Sequence, residues 1–357
     1  MTLPPHPPPT DGPLTAEELA LATRNRGMLL EALRYDITPV GMHYLLVHFD
    51  VPAIDPATYR LAIGGLVERP IALDLEAIRA LPRVTQPVTL ECAGNGRARL
   101  VPRPISQPWL VEGASTAMWT GTPLRGVLEA CGVQPGALEV VFVGADHGIE
   151  RGHEHDFARS LALAEALRDE MILAYEMNGR PLEPQHGAPL CLIAPGWYGM
   201  AHVKWLARIE LVDRAFDGYQ QKVAYHFRRD ADDPGTPITR IKPRALLEPP
   251  GFPDFMSRTR IVERGTVTIS GRAWCGASPI ARVELGVDDR WHDATLEAPL
   301  GPYAWRRWHA AWAATPGEHV LSCRATAADG TVQPVEPPWN YGGSTNNSVQ
   351  RVPVLVR

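Results

Sequence analysis

Thirty-five prolines and 31 glycines interrupt this chain of 357 residues, and breakers at that density leave little room for long helices. Proline removes a backbone donor and collides with the preceding helical turn, while glycine opens left-handed backbone. Turns and short strands are the expected result. Apolar and β-branched runs that fit short strands lie at 59–63, 84–90, 138–143, 190–193 and 207–212. Helical patches fall between them at 75–80, 124–131 and 161–167, with no regular strand–helix–strand alternation. That mixture predicts an α+β domain rather than a doubly wound sheet. One longer helix is expected over 15–33, with Thr15 as N-cap, Glu18 completing a capping box, and Leu19, Leu21, Leu29 and Leu30 as apolar positions.

From about 230 to 255 the chain is rich in Pro, Asp and Gly and reads as a linker. Beyond it the texture becomes alternating, with strands expected at 266–274, 281–286, 319–326 and 349–356 between Gly-Ala-Ser-Pro, Pro-Gly and Asp-Gly turn signals. A β-sandwich of about a hundred residues fits that pattern. Three segments follow: an N-terminal leader and helix (1–33), an α+β domain (34–235) and an all-β domain (236–357).

A composition 45% hydrophobic and 21% charged is that of a globular chain with room for two domains. The net charge of −5, without any Lys/Arg-rich run, gives no reason to expect nucleic acid as a partner. No apolar stretch approaches the ~20 residues that span a bilayer. Residues 1–13 are proline-rich and lack a basic or apolar signal segment, so a disordered leader is expected. With no twin-arginine signal, the expected location is cytoplasmic, or periplasmic if a signal peptide has been removed. The five cysteines, Cys92, Cys131, Cys191, Cys275 and Cys323, are an odd set and not a disulfide framework. Cys275 and Cys323 are expected as reduced core thiols. His153 and His155 are two apart beside carboxylates, but without a third ligand the stretch 151–156 reads as a solvated polar loop. The Asn346-Asn347-Ser348 match to a glycosylation sequon reads as accidental.

The segment with most chemical content is Thr89-Leu90-Glu91-Cys92-Ala93-Gly94-Asn95-Gly96-Arg97. A strand delivers a thiol to a fixed point, two glycines permit a tight turn, and an arginine follows five residues later. A thiolate is a soft ligand for a redox-active metal, and a nearby cation attracts anions. By itself, a cysteine in such a place is more often a small core hydrophobe.

This segment resembles the molybdenum-ligating segment of the sulfite oxidase family of molybdenum-pterin oxidoreductases. Three further motifs of that family follow in order: Ala174-Tyr175-Glu176-Met177-Asn178-Gly179, His186-Gly187, and His202-Val203-Lys204-Trp205-Leu206. The resemblance runs from about Arg34 to the C-terminus. It implies a sulfite-oxidase-type molybdopterin domain followed by an immunoglobulin-like dimerisation domain, hence a homodimer. It implies Cys92 as the molybdenum ligand, Arg97 as a contact to the anionic substrate, and Trp109 on the pocket wall. It also implies cofactor contacts from Tyr44 and His48, from Asp146 and His186, and from His202, Val203 and Lys204, with Lys204 meeting the phosphate. Lys222 lies near the position of another family arginine that contributes to the pocket.

Three departures weaken the substrate inference. Leu46 and Val47 stand where animal-type members carry arginine and asparagine, Phe157 falls near a family tyrosine, and Cys191 replaces a phosphate-binding arginine. Losing one guanidinium contact costs about 1.5–3 kcal/mol, unless Lys222, Arg151 or Arg159 substitutes. The reading is oxidation of sulfite to sulfate by oxygen-atom transfer. No Cys-x-x-Cys-His haem motif is present, so electrons pass to a separate acceptor such as a cytochrome. The alternatives are a reductase of a sulfoxide, nitrate or other oxo-substrate on the same scaffold and, from another class, a non-catalytic β-sandwich binding module.

Overall fold

The computed structural model describes residues 8–336 and 338–357. Strands dominate, as the proline and glycine content requires, and helices are short. In the first domain one five-stranded sheet runs Ile71–Leu73, Leu61–Gly65, Leu206–Val212, Glu139–Glu150, His153–Ala162, with only the Leu61–Gly65 and Leu206–Val212 pair parallel. A second sheet joins Val84–Glu91, Ala114–Pro123, Ile172–Met177 and Arg180–Pro181, with Cys191–Ile193 also pairing with Ile172–Met177. The expected helices at Leu75–Ala80 and Leu124–Cys131 are present, and their buried faces are apolar. No helix among the described residues is long and apolar enough to cross a membrane.

The all-β part is a two-sheet, immunoglobulin-like sandwich. One sheet orders Arg244–Leu247, Gly265–Trp274, Arg306–Ala314, Thr295–Leu296; the other orders Phe252–Pro253, Arg260–Val262, Gln350–Val356, Gly317–Ala327, Ile280–Val287, Arg290–Asp293. Its core holds Trp308, Trp312, Leu285, Leu321 and Cys323. All five cysteines are free thiols.

Four local expectations change. The helix expected over 15–33 stops at Arg24. Thr15 and Glu18 do form the capping box, but Asn25 leaves helical geometry. Its Oδ1 accepts the Val47 N–H (2.7 Å), and its Nδ2 donates to Leu21 O (3.2 Å) and Gln107 Oε1 (3.0 Å). A side chain that satisfies two distant groups and the helix's own Leu21 carbonyl outweighs continued helix propensity. The stretch 151–156 is not a loop: Arg151 and Gly152, at φ 50° and 82°, form a two-residue turn between paired strands. The 230–255 stretch is not a plain linker, because Arg244–Leu247 is a fully buried strand paired with Gly265–Trp274. Of the leader expected over 1–13, residues 1–7 lie outside the described ones. Thr10 is not free but pairs with Arg103 through two backbone hydrogen bonds of 2.9 and 2.8 Å.

The two domains interlock below the Cys92 turn. Glu91, fully buried, pairs with Arg244 Nε at 2.7 Å and accepts from Trp274 Nε1 at 2.8 Å. From the segment that leads into the strand Gln350–Val356, the Thr345 N–H donates to Ala93 O, and Asn346 Nδ2 donates to Gly96 O at 2.7 Å. The sequon residues are therefore buried and structural, with Asn347 Nδ2 on Pro243 O.

Candidate active site

Cys92 sits one residue beyond the strand Val84–Glu91. Its N–H donates to Gly113 O (2.8 Å) and its carbonyl accepts from Asn95 (3.0 Å). The turn that follows is built around Arg97. A Cβ on Gly94 would lie 2.5 Å from Arg97 Nη1, and Gly96 takes φ +91° where a Cβ would lie 2.6 Å from Asn346 O. Glycine is required at both positions, one for the guanidinium and one for the interdomain contact. Arg97 is buried, with Nε donating to Gly342 O (3.3 Å) and Nη1 to Gln107 O (3.2 Å). Burial pushes the Cys92 thiol up and outweighs the opposing Arg97 charge and Gly94 N–H.

Cys92 lines two cavities. The inner one is walled by His43, Tyr44, His48, Asp146, His186, Lys204 and others. His43 Nδ1 donates to Tyr44 O (2.8 Å), which leaves Nε2 a bare acceptor. That Nε2 and His186 Nε2 are both buried with no protein partner, and the two rings meet edge to face at 5.6 Å. Burial depresses His43 to about 3 and His186 to about 4, so both rings are neutral. Lys204 Nζ donates to Leu46 O (2.8 Å) and Gln185 O (3.0 Å), keeping one N–H free; burial lowers it to about 8. Asp146 is raised to about 6 by burial, against the charges of Lys204 and His48.

The outer cavity has a volume of about 400 Å³ and carries three guanidiniums, from Arg97, Arg151 and Arg228. Arg228 Nε is buried without a partner. On the same wall His48 Nε2 lies 2.7 Å from Glu150 Oε2, which also accepts from Gln220 Nε2 (2.8 Å). Burial alone would raise Glu150; the His48 hydrogen bond and charge, with Gln220 and Arg151, bring it down to about 2.

The expected site residues divide accordingly. Cys92, Tyr44, His48, Asp146, His186 and Lys204 share the inner wall, and Cys92, His48 and Arg97 the outer. Trp109, expected on the pocket wall, lines neither cavity: it is buried behind Tyr44, edge-on at 6.3 Å. Three further expectations are corrected. Lys222 is exposed and lines neither cavity, because the helical turn Gln220–Ala224 turns Gln220 inward and Lys222 outward. His202 reaches the inner wall but has no nitrogen to offer: Nδ1 accepts from Ala194 N–H (3.1 Å) and Nε2 donates to Trp197 O (3.2 Å). Val203 is fully buried off the wall, and its carbonyl accepts from Leu192 (2.9 Å). His153 and His155 pack on Tyr219 at 4.9 and 4.8 Å.

His43, Tyr225, Glu150, Gln220 and Arg228 were not singled out from sequence. Tyr225 lines both cavities. His43 adjoins the 44–48 segment and was one residue from being found. Arg228 and Glu150 lie in a loop and at a strand end, where no periodicity marks them.

Neutral buried histidines make an acid-sensitive fold. His202, also near 4 through burial, joins His43 and His186. Below about pH 6.5 the unfolded chain takes up protons that these folded-state rings refuse, so stability falls as pH drops from about 6.5 toward 4. In cofactor-free protein the urea midpoint should fall between pH 7.5 and 5, and less in His186→Asn. Equal falls in the two proteins would contradict the role given to His186.

Residues 48–220 match the family described as an oxidoreductase molybdopterin binding domain, and residues 253–357 match the Mo-co oxidoreductase dimerisation domain. Mitochondrial sulfite oxidase of Mus musculus is 33% identical over 344 residues, covering 90% of this chain and 62% of that protein. Nitrate reductase [NADH] 1 of Oryza sativa subsp. japonica is 32% identical, covering 90% of this chain and 38% of that one. The crystal structure of the sulfane dehydrogenase SoxCD from Paracoccus pantotrophus superposes with a TM-score of 0.79 at 25% identity, over 96% of this chain and 90% of that one. The chain thus spans less than two thirds of the length of the curated relatives it matches. It belongs to the sulfite oxidase family of molybdenum–molybdopterin oxidoreductases. The inner cavity fits a molybdopterin: two orphaned imidazole nitrogens can serve its heterocycle edge, and the spare Lys204 N–H suits its phosphate.

Proposed function

We propose that this protein oxidises sulfite to sulfate and passes the electrons to a separate acceptor, working as a homodimer joined through the sandwich. The observation that carries this is the three guanidiniums, Arg97, Arg151 and Arg228, on the same cavity wall as Cys92. The reaction balances as SO₃²⁻ + H₂O → SO₄²⁻ + 2H⁺ + 2e⁻. Molybdopterin, when bound, supplies the oxygen-atom and two-electron chemistry. Cys92 is its protein ligand to the metal. His43, His186, Asp146 and Lys204 would hold the pterin, and Tyr44 would close the apolar side.

Arg97 and Arg228 bind the anion, and their fixed donor forks favour an oxyanion over water. They supply the cations that Leu46 does not. Glu150, held ionised, fixes His48 and Gln220 on the cavity wall through its Oε2.

Purified enzyme should reduce ferricyanide when given sulfite. Arg97→Gln and Arg228→Gln should each lower kcat/KM by about 10–100-fold, the equivalent of about 1.5–3 kcal/mol. Lys222→Ala should leave it unchanged. A loss at Lys222 equal to that at Arg228 would overturn the assignment of the pocket. Reduction of nitrate is the second reading, favoured by the 32% identity to a nitrate reductase and by the apolar Leu46. Viologen-driven nitrate turnover exceeding sulfite turnover would establish it.

A further inference from the structure

The outer cavity is much larger than a sulfite ion needs. A four-atom anion fills two or three water volumes, roughly 60–90 Å³ at about 30 Å³ each, and the cavity measures about 400 Å³. Its walls also differ in kind. One carries the guanidiniums, with the ionised Glu150 beside them: Arg97 is held by the Gly342 carbonyl, and Arg228, with its unpartnered Nε, accepts the neighbouring Tyr341 N–H on its carbonyl at 2.8 Å. The other is apolar, made by Leu21 in the helix Ala16–Arg24, by Val47, and by Ile105.

Val47 and Ile105 are 4% and 8% exposed, so what surface they keep belongs to the cavity rather than to the outside. Asn25 and Gln107 fix the two walls to each other. Asn25 accepts the Val47 N–H and donates to Gln107 Oε1, while the Gln107 carbonyl accepts from Arg97. A site for a bare inorganic anion has no use for a buried aliphatic wall beside its guanidiniums.

We propose that the outer cavity is a two-part site for an organic sulfinate, R–SO₂⁻. Its oxyanion head lies against Arg97 and Arg228, and its organic group lies against Leu21, Val47 and Ile105. This rests on the sulfur-oxidising reading above and narrows its substrate class. The reaction is R–SO₂⁻ + H₂O → R–SO₃⁻ + 2H⁺ + 2e⁻. The sulfur lone pair becomes the new S–O bond, water supplies the oxygen and both protons, and the electrons go to a one-electron acceptor such as a cytochrome or ferricyanide. Sulfoxides lack the charge for the first wall, and nitrate lacks the organic group for the second.

Two measurements on the holoenzyme test this. Calorimetric binding of alkanesulfonates, the unreactive products, reads the site without turnover; ferricyanide reduction with methane- to hexanesulfinate, beside sulfite, reads the reaction. Affinity and kcat/KM should each rise about fourfold per added methylene until the lobe is filled. Leu21→Asp and Ile105→Asp should flatten both series; Leu21 is only half-buried, so at least that variant should fold. Sulfite oxidation with flat chain-length series overturns the two-part site and leaves the sulfite reading standing. A chain-length gain in sulfonate binding without turnover of sulfite or any sulfinate supports the site and overturns the sulfur-oxidising reading.

Discussion

Replacing Cys92 with serine should lower sulfite-dependent turnover by well over the 10–100-fold that loss of an indirect partner of a metal ligand brings, while leaving the fold intact. The structural duties of Cys92 are carried by its backbone, through Gly113 and Asn95, and serine is nearly isosteric. The side chain has no comparable structural task. It is buried, and burial holds the thiol protonated in spite of Arg97, so alone it is an inert group at the junction of two cavities. A soft, highly charged metal changes that balance, because coordination displaces the proton. A serine hydroxyl is a harder and poorer ligand at the same point. Molybdenum content by elemental analysis, turnover with ferricyanide, and thermal unfolding should be measured together. Wild-type molybdenum stoichiometry with unchanged turnover would sink the assignment; a collapse in Tm comparable to a core deletion would show that the loss is merely structural.

How much of this was visible in the sequence depends on the range of the interactions involved. Short elements such as Leu75–Ala80 and Leu124–Cys131 were legible because capping residues and local apolar spacing determine them. The hairpin turn at Arg151-Gly152 was not, since a polar, charged sequence lacks the apolar alternation that marks strands, although the two strands pair locally with each other. Asn25 ended a helix that propensity would have continued, and the groups responsible, Val47 and Gln107, lie 22 and 82 residues off. At the site, the strand-end thiol and glycine turn were local signals, and so was the resemblance built on them. The orientation of Lys222, the saturated ring of His202 and the guanidinium of Arg228 are consequences of tertiary packing. No spacing rule contains them.

The same long-range character makes Arg244→Met the most damaging single change expected away from the cavities. Arg244 and Glu91 form an ion pair with both side chains 1% exposed, and Glu91 is also the residue before Cys92. With Arg244 gone, the carboxylate keeps its bonds from Trp274 and Asn95 (3.1 Å) but loses its only close counter-charge among the described residues. Breaking one side of such a pair costs about 3–5 kcal/mol, enough to lower Tm by roughly 4–7 °C in a protein of this size. The guanidinium also donates to Asn346 O, and Asn346 holds Gly96, so the loosening reaches the Arg97 turn. Molybdenum retention should therefore fall along with Tm. The double variant Glu91→Gln with Arg244→Met should recover most of the lost stability, because a neutral amide in that position needs no counter-charge. If Arg244→Met melts with wild-type protein, the pair is not what joins the sandwich to the catalytic turn. If the double variant regains Tm but not molybdenum, the charge at Glu91 itself sets the Cys92 geometry, and the two roles of this one carboxylate are separated.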